Sequence, residues 1–214
     1  METKLDEVAT TEPEAGAESV KRRQILDGAR RVFLSAGFAA ASMGEIAREA
    51  RVSKGTLYVY FDSKEALFAA LIEQTRSQTA ERLLDVDATM TDVRAFLKLL
   101  ATRLLEKLSA PMHVSMVRMV MGASEKFPEL ARKFYDAGPG HGQARLAGWI
   151  AEQHASGRLN APDADNAAWQ FIGMCCHPVT VRVALGAMPP PDAERIEHYA
   201  EAAVTTFLAA YGPR

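Results

Sequence analysis

Cysteine is nearly absent from this 214-residue sequence, and its two cysteines, Cys175 and Cys176, are adjacent. Adjacent cysteines cannot join distant segments, so a disulfide scaffold is excluded and a reducing, cytoplasmic compartment fits best. Apolar residues form no run of the roughly 18 residues that span a bilayer, so no membrane association is expected. The acidic start of the chain also lacks the apolar core of a secretory signal, so export is not expected.

The chain as a whole has almost no excess of acidic or basic residues, since its formal net charge is −2. The distribution is nevertheless uneven. Residues 1–18 hold six acidic residues and one lysine and few large apolar residues, which predicts a disordered acidic tail. Residues 19–64 hold nine basic and four acidic residues. A short basic module of this kind is the electrostatic footprint of a nucleic-acid site, although an ordinary solvated surface is the alternative.

Hydrophobic periodicity predicts helices in the rest of the chain, and apolar–polar alternation never exceeds four residues. The first predicted helix has one apolar face, formed by Ile25, Leu26, Ala29, Val32, Phe33 and Ala36. Gly37 follows where a C-terminal glycine belongs. A capping box at Ser42–Glu45 opens a short helix, Ser53 caps another over Lys54–Phe61, and Asp62–Glu65 opens a long helix through about Leu84.

Proline and glycine mark the boundaries of the later helices. Pro111 ends one helix and precedes a Met-rich segment, Pro128 opens another, and Gly138-Pro139-Gly140 interrupts it. The last two helices are expected at about 163–186 and 192–210. The predicted fold class is therefore all-α, with nine or ten helices.

The order of helix, short helix, tight turn and short helix within Ser19–Phe61 is that of a helix-turn-helix. A small apolar core must hold the second short helix so that its outer side can enter a major groove about 12 Å wide. Leu57 and Phe61 are four residues apart and can face that core, so the outer side centres on Gly55 and Val59. Lys64 begins the next helix, where its charge opposes the helix dipole, which suggests an external anion.

About fifty contiguous residues carry a family resemblance. The segment from Arg22 to Ile72, which includes RRVFLSAGF and VSKGTLYVYFDSKEALF, resembles the DNA-binding domain of TetR-family transcriptional regulators. Its most specific part, Val52 to Phe68, is similar to the family's recognition helix and the start of its fourth helix. Residues 112–138 and 157–174 are similar to the C-terminal domain of the AefR-like subgroup.

This resemblance implies a domain architecture and a mechanism. A three-helix helix-turn-helix DNA-binding domain is expected over 19–65, after the tail at 1–18, and a larger helical ligand-binding and dimerisation domain over 66–214. The family dimerises through its last two long helices, here about 163–186 and 192–210, and reads a pseudo-palindromic double-stranded operator. Most members are repressors, and a small-molecule inducer changes the spacing of their two DNA-reading heads.

Ten residues match DNA-contacting positions of the family: Ser42, Met43, Gly44, Ser53, Lys54, Gly55, Thr56, Tyr58, Tyr60 and Lys64. Among them the resemblance implies that Ser42 binds phosphate and that Tyr60 and Lys64 contact the DNA backbone. For the tyrosines, packing on the head is the alternative, and for the lysines an ordinary surface role.

One position departs from the family, which usually has Ala-Gly-Val at the turn where this chain has Ala50-Arg51-Val52. If the turn needs a positive φ, arginine there costs roughly 1 kcal/mol. The alternative is a slightly different turn in which Arg51 reaches a phosphate.

Candidate ligand-binding residues in the larger domain are soft or aromatic side chains that suit an adaptable pocket: Met116, Met119, Tyr135, Trp149, Trp169 and His177. Packing in the core is the alternative for each of them. For the Cys175–Cys176 pair, buried unreactive thiols are expected rather than a thiol sensor, because no nearby charge would lower the pKa of either thiol.

Two rival functions remain at this stage. A helical small-molecule binding protein without DNA activity would show little salt-dependent binding to duplex DNA. An α-helical enzyme would use the region of His113 or His177, but the sequence contains no nucleophile elbow, phosphate loop or dinucleotide fingerprint. Neither rival needs the basic module, so no enzyme activity and no cofactor are expected. No metal is expected either, because no pair among the histidines has metal-ligand spacing near carboxylates.

Overall fold

The computed structural model describes the backbone of residues 13–84 and 92–213 and the side chains of residues 20–74 and 92–213. Within these ranges the chain forms ten α-helices and one π-helical segment and contains no β-strand. The predicted all-α fold class is therefore confirmed. The helices are α1 Pro13–Ala40, α2 Met43–Glu49, α3 Lys54–Tyr60, α4 Lys64–Leu84, α5 Val93–Ser109, α6 Pro111–Ala123, α7 Pro128–Tyr135, α8 His141–Ala155, α9 Ala164–Ala184 and α10 Ala193–Tyr211.

The chain divides into two compact units, with the boundary between Phe68 and Ala69. The first unit contains α1 to α3 and the start of α4, and we call it the head. The second unit contains the rest of α4 and α5 to α10, and we call it the body. Among the described helices, none combines the length and the apolar character that a membrane crossing requires.

The start of α1 differs from the predicted boundary of the acidic tail. The helix begins at Pro13, so residues 13–18 have helical backbone, whereas residues 1–12 lie outside the described residues. Proline is favourable in the first helical turn, and alanine and glutamate are good helix formers, so this segment needs no large apolar residue to be helical.

Three phenylalanine rings form the centre of the head. Phe33, Phe38 and Phe68 are buried, and the ring centroids of each pair lie 5.3–5.7 Å apart. Gly37, at φ 77° and ψ 160°, breaks the regular helix between the first two rings, which confirms its role as a C-terminal glycine. Ala36, predicted on the apolar face, is exposed instead, because the core position after the break is filled by Phe38.

The turn between α2 and α3 has the geometry that the sequence left open. Arg51 lies at φ 53°, in the left-handed region, so the turn does require a positive φ. Backbone hydrogen bonds from Arg51 to Arg48 and from Val52 to Ala47 close the turn, and the Gln24 amide donates to the Ala50 carbonyl over 2.6 Å. The alternative of a different turn is therefore wrong, and Arg51 holds a strained conformation.

The body is organised around α9, which packs against α5, α6, α8 and α10. The inner side of α9 carries Phe171, Cys175, Val179 and Val183, all of them buried. Phe171 meets Phe207 of α10 edge to face, with ring centroids 5.2 Å apart. This one-sided burial leaves the opposite side of α9 exposed.

The Met-rich segment after Pro111 forms the helix α6, whereas one later feature of the body differs from the expected helix boundaries. The Gly138-Pro139-Gly140 sequence does not interrupt the helical path, because Asp136–Gly140 forms a π-helical segment that leads directly into α8. The wider π-helical turn changes the hydrogen-bond register, which accommodates a proline that has no N–H to donate.

We expect Arg51→Gly to stabilise the head by about 0.5–1 kcal/mol, because glycine adopts a positive φ without steric strain. Native-state amide exchange in α2 and α3 measures the stability of the head specifically. Arg48→Gly, in the last turn of α2, is the control and should destabilise the head by about 1 kcal/mol. Equal destabilisation by both substitutions would contradict the account of the turn.

Candidate nucleic-acid interface

The outer side of α3 is the candidate binding surface, and one buried side chain determines which side that is. Leu57 is 0% exposed and Phe61 only 6% exposed, so both face the core of the head as predicted. Tyr58 and Val59 are 50% and 82% exposed. Gly55 is exposed and Thr56 partly buried, so the predicted outward face is confirmed as a surface of the head.

The start of α3 is held by hydroxyl groups. Ser53 Oγ accepts a hydrogen bond from the Thr56 backbone N–H over 2.9 Å, and the two hydroxyl oxygens lie 2.7 Å apart. Ser53 therefore caps α3, as the sequence predicts. The Thr56 hydroxyl is held in place by this contact, at the edge of the outward face.

The start of α2 carries the predicted capping box. Ser42 Oγ accepts from the Glu45 N–H, and the Glu45 carboxylate accepts from both the N–H and the hydroxyl of Ser42. These hydrogen bonds, from the side chain and then the backbone of Ser42, lower the pKa of Glu45. The ionised carboxylate accepts from both donors of Ser42, so Ser42 binds a phosphate only if Glu45 releases one of them.

The starts of α2 and α3 lie side by side. A Cβ atom at Gly44 would be 3.1 Å from Cε and 3.4 Å from Nζ of Lys54. Lys54 is exposed, and Met43 is partly buried next to Gly44. The missing side chain at Gly44 therefore gives the Lys54 side chain room to extend across the start of α2.

Lys64 points elsewhere than the sequence suggested. Its Nζ donates to the carbonyl oxygens of Phe38, Ala39 and Ala41 over 3.1, 3.1 and 3.3 Å, and it lies 4.9 Å from the centroid of the Phe38 ring. The carbonyl oxygens of the α1–α2 connection thus take the place of the external anion that was expected to offset the helix dipole. Tyr60, the other expected backbone contact, is partly buried.

Several arginines of the basic module are engaged within the head. Arg22 stacks over the Phe61 ring at 5.3 Å, Arg30 pairs with Asp27, and Arg31 pairs with Glu49. Arg48 and Arg51 are exposed beside these pairs. The charge of the module is thus partly neutralised where α1 meets α2.

The six candidate ligand residues of the body do not share one surface. Met116 is buried, Met119 is partly buried, and Trp149 stacks on Phe96 with ring centroids 3.9 Å apart. Tyr135 and Trp169 are exposed and lie parallel, with centroids 6.5 Å apart. His177 is exposed on α9. Sequence alone could not separate these environments, because soft and aromatic side chains occur in all of them.

Burial perturbs the pKa values of His113, Lys107 and the two cysteines. Burial, followed by the charge of Lys107, lowers the pKa of His113 to about 4, and burial lowers the pKa of Lys107 to about 8. Burial also raises the pKa of the Cys175 thiol and raises the pKa of the Cys176 thiol to about 12. His113 is therefore neutral near pH 7, and both thiols stay protonated, as expected of unreactive cysteines.

Two family models match the chain. The model for the C-terminal domain of AefR-like transcriptional repressors matches residues 95–213, and the model for bacterial regulatory proteins of the tetR family matches residues 25–71. The first match covers more than half of the chain, and the second covers the helix-turn-helix. Both models describe regulators rather than enzymes.

Individual relatives agree with these matches. YuxN of Bacillus subtilis is 34% identical over 90 residues, which are 40% of this chain and 31% of that protein. UidR of Escherichia coli is 44% identical over 61 residues, which are 28% of this chain and 31% of that protein. The chain thus matches less than a third of the length of either curated relative.

Solved structures match over nearly the whole chain. The flavonoid-responsive regulator FrrA is 36% identical, with a TM-score of 0.80, and the match covers 92% of this chain and 99% of FrrA. A TetR-family regulator from Mesorhizobium loti is 28% identical, with a TM-score of 0.83, over 91% of this chain and 98% of its own.

We expect Cys175 and Cys176 of the native protein to react with a disulfide reagent at about pH 8 at least a hundredfold more slowly than in urea, because only the thiolate is nucleophilic. The rate of colour release on stopped-flow mixing measures this difference. The same chain unfolded in urea is the control. A native thiol that reacts as fast as free cysteine would revive the thiol-sensor hypothesis.

Proposed function

Because the chain belongs to the TetR family of bacterial transcriptional regulators, we propose that it is a homodimeric repressor that a small molecule releases from operator DNA. One observation carries the DNA-binding part of this proposal. The helix α3 buries Leu57 and turns Gly55, Tyr58 and Val59 outward, so it presents a side chain surface to a major groove. A chromosomal operator also implies a cytoplasmic protein.

The groove contacts are assigned to the outer side of α3. Thr56 and Tyr58 supply hydrogen bonds to base edges, Lys54 reaches a phosphate at the edge of the groove, and Gly55 allows the backbone to approach the DNA closely. The contacts to the sugar–phosphate backbone come from the residues around this helix: Ser42, Met43, Gly44, Ser53 and Tyr60. Two heads of a dimer then read half-sites one or more helical turns apart, at about 34–36 Å or a multiple of it.

The dimer is assigned to the outer sides of α9 and α10, over about 163–186 and 192–210. Val181 is 47% exposed on the side of α9 opposite its buried side, and Leu185, 78% exposed, caps the end of the helix. Exposed apolar side chains on a helix favour an intermolecular contact. His177 lies on the same side as Val181 and is assigned to the interface between protomers rather than to a ligand pocket, whereas Trp169 stacks on Tyr135 at the edge of this side.

The inducer is assigned to the interior of the body, near Met116, Met119 and Trp149. FrrA responds to flavonoids according to its name and is 36% identical over 92% of this chain, so flavonoids are the first compounds to test. The inducer must bind more tightly to the conformation whose heads do not match the operator, since a ligand shifts an equilibrium only by its differential affinity.

Selection of bound duplexes from a random pool, repeated with flavonoids present, tests this function. A repressor of this type enriches a palindromic sequence and loses it when the inducer is added. The alternative is a helical small-molecule binding protein without DNA activity, which would enrich no sequence and show no salt-dependent binding.

We expect Lys54→Ala and Tyr58→Ala to weaken DNA binding in different ways. Lys54→Ala should reduce the slope of log affinity against log salt by about one, because one contact to DNA phosphate is lost. Tyr58→Ala should reduce discrimination against substituted operators by about 1–3 kcal/mol at the affected base pair. Fluorescence anisotropy over a salt series measures both quantities. If both variants bound DNA as the parent protein does, the assignment of α3 as the helix that reads the groove would be wrong.

We expect sedimentation at micromolar concentration to show a species of twice the 23.3 kDa chain mass. Val181→Glu should convert it to a monomer that keeps its helical circular dichroism, because the charge would be buried at the interface. Met121→Glu is the control, since Met121 is 68% exposed on α6 and lies outside the proposed interface. A parent protein that sediments only at 23.3 kDa would overturn the two-headed arrangement.

A further inference from the structure

Lys64 lies in a cage of backbone carbonyl groups that the break in α1 creates. At Gly37 the chain leaves helical geometry, and the carbonyl groups of Phe38, Ala39 and Ala41 follow directly after the break. Carbonyl groups at the end of a helix have no partner within the helix and need donors from elsewhere. The Lys64 ammonium, from the first residue of α4, donates to all three.

The number of hydrogen bonds that the Lys64 ammonium makes bears on whether it can bind a phosphate. An ammonium group has three N–H donors, and three carbonyl oxygens at 3.1–3.3 Å match that number. The Phe38 ring covers the same ammonium at 4.9 Å, and Phe38 is itself 1% exposed in the core. A phosphate could reach Lys64 only by breaking this arrangement.

The cage connects Lys64 to the proposed reading surface. The Ala41 carbonyl belongs to the residue before Ser42, which caps α2, and Gly44 in the first turn of α2 lies beside Lys54. An ammonium anchored at the start of α4 therefore holds the chain at the point where α2 begins. Because the Lys54 side chain runs from the start of α3 past Gly44, the Lys64 ammonium also holds the part of α2 that lies beside Lys54.

We propose that Lys64 is a positioning residue for DNA recognition, which holds the start of α2 by binding the carbonyl groups of residues 38, 39 and 41, and that it is not a phosphate ligand. The proposal rests on the proposed function, because it assigns Lys64 a part in operator binding. It reverses the role that the family resemblance implied for this residue.

The test compares Lys64→Met with Lys54→Met in the full chain. Each substitution removes one ammonium and keeps an unbranched side chain of similar length, and Lys54 is the exposed control at the proposed DNA surface. Affinity is measured by anisotropy from about 50 to 200 mM salt. The two probes are the duplex selected by the parent protein and an unrelated duplex of equal length.

For Lys64→Met we expect an unchanged salt slope on the unrelated duplex and an affinity for the selected duplex that is lower by about tenfold, because the reading surface is displaced while no phosphate contact is lost. For Lys54→Met we expect a slope lower by about one on both duplexes. A loss of slope in Lys64→Met equal to that in Lys54→Met would overturn the proposal.

Amide exchange provides a readout that does not depend on DNA. In Lys64→Met, the amides of residues 41–46 should exchange faster while those in the middle of α1 keep the protection of the parent. Equal acceleration throughout the head would indicate a general structural role and would overturn the proposal. If the parent bound neither duplex, the proposed function would be wrong, whereas the exchange of residues 41–46 would still decide whether Lys64 holds the start of α2.

Discussion

The burial of Leu57 is the interaction on which the outward surface of the head depends. A leucine removed from water contributes about 2 kcal/mol, and Leu57 lies in the middle of a helix only seven residues long. Because Phe61 follows four residues later on the same side, α3 has one rotation that satisfies both apolar side chains. That rotation turns Gly55, Tyr58 and Val59 toward solvent, so apolar packing determines which groups are available to bind.

Unsatisfied backbone groups at helix ends determine what the polar side chains do. Ser42 and Ser53 serve the first N–H groups of α2 and α3, and Lys64 serves the carbonyl groups after the break in α1. In the body, the Arg118 guanidinium likewise donates to the Val183 and Ala184 carbonyl oxygens at the end of α9. A side chain directed at the backbone in this way is held within the fold, which distinguishes Lys64 from the exposed Lys54 in one short segment of sequence.

Most helices and their caps could be predicted because they depend on neighbouring residues. Serine before a helix, glycine after it and apolar residues on one side predicted α2, α3, the start of α4 and the break at Gly37. The predicted boundary of the tail was wrong at residues 13–18, whose backbone already belongs to α1. The prediction was also wrong at Gly138-Pro139-Gly140, where a π-helical segment continues the chain. Local propensity explains the first of these places, and the changed hydrogen-bond register of the π-helical segment explains the second.

The sequence by itself determined the all-helical class, the order of the helix-turn-helix and the buried side of α3. These properties follow from periodicity, capping and backbone sterics, which act over a few residues. Only the tertiary structure decided that Lys64 binds carbonyl oxygens and that Trp169 is exposed on α9. Every residue carries a carbonyl group, and which of them lack a partner depends on where the folded chain bends and what packs beside it.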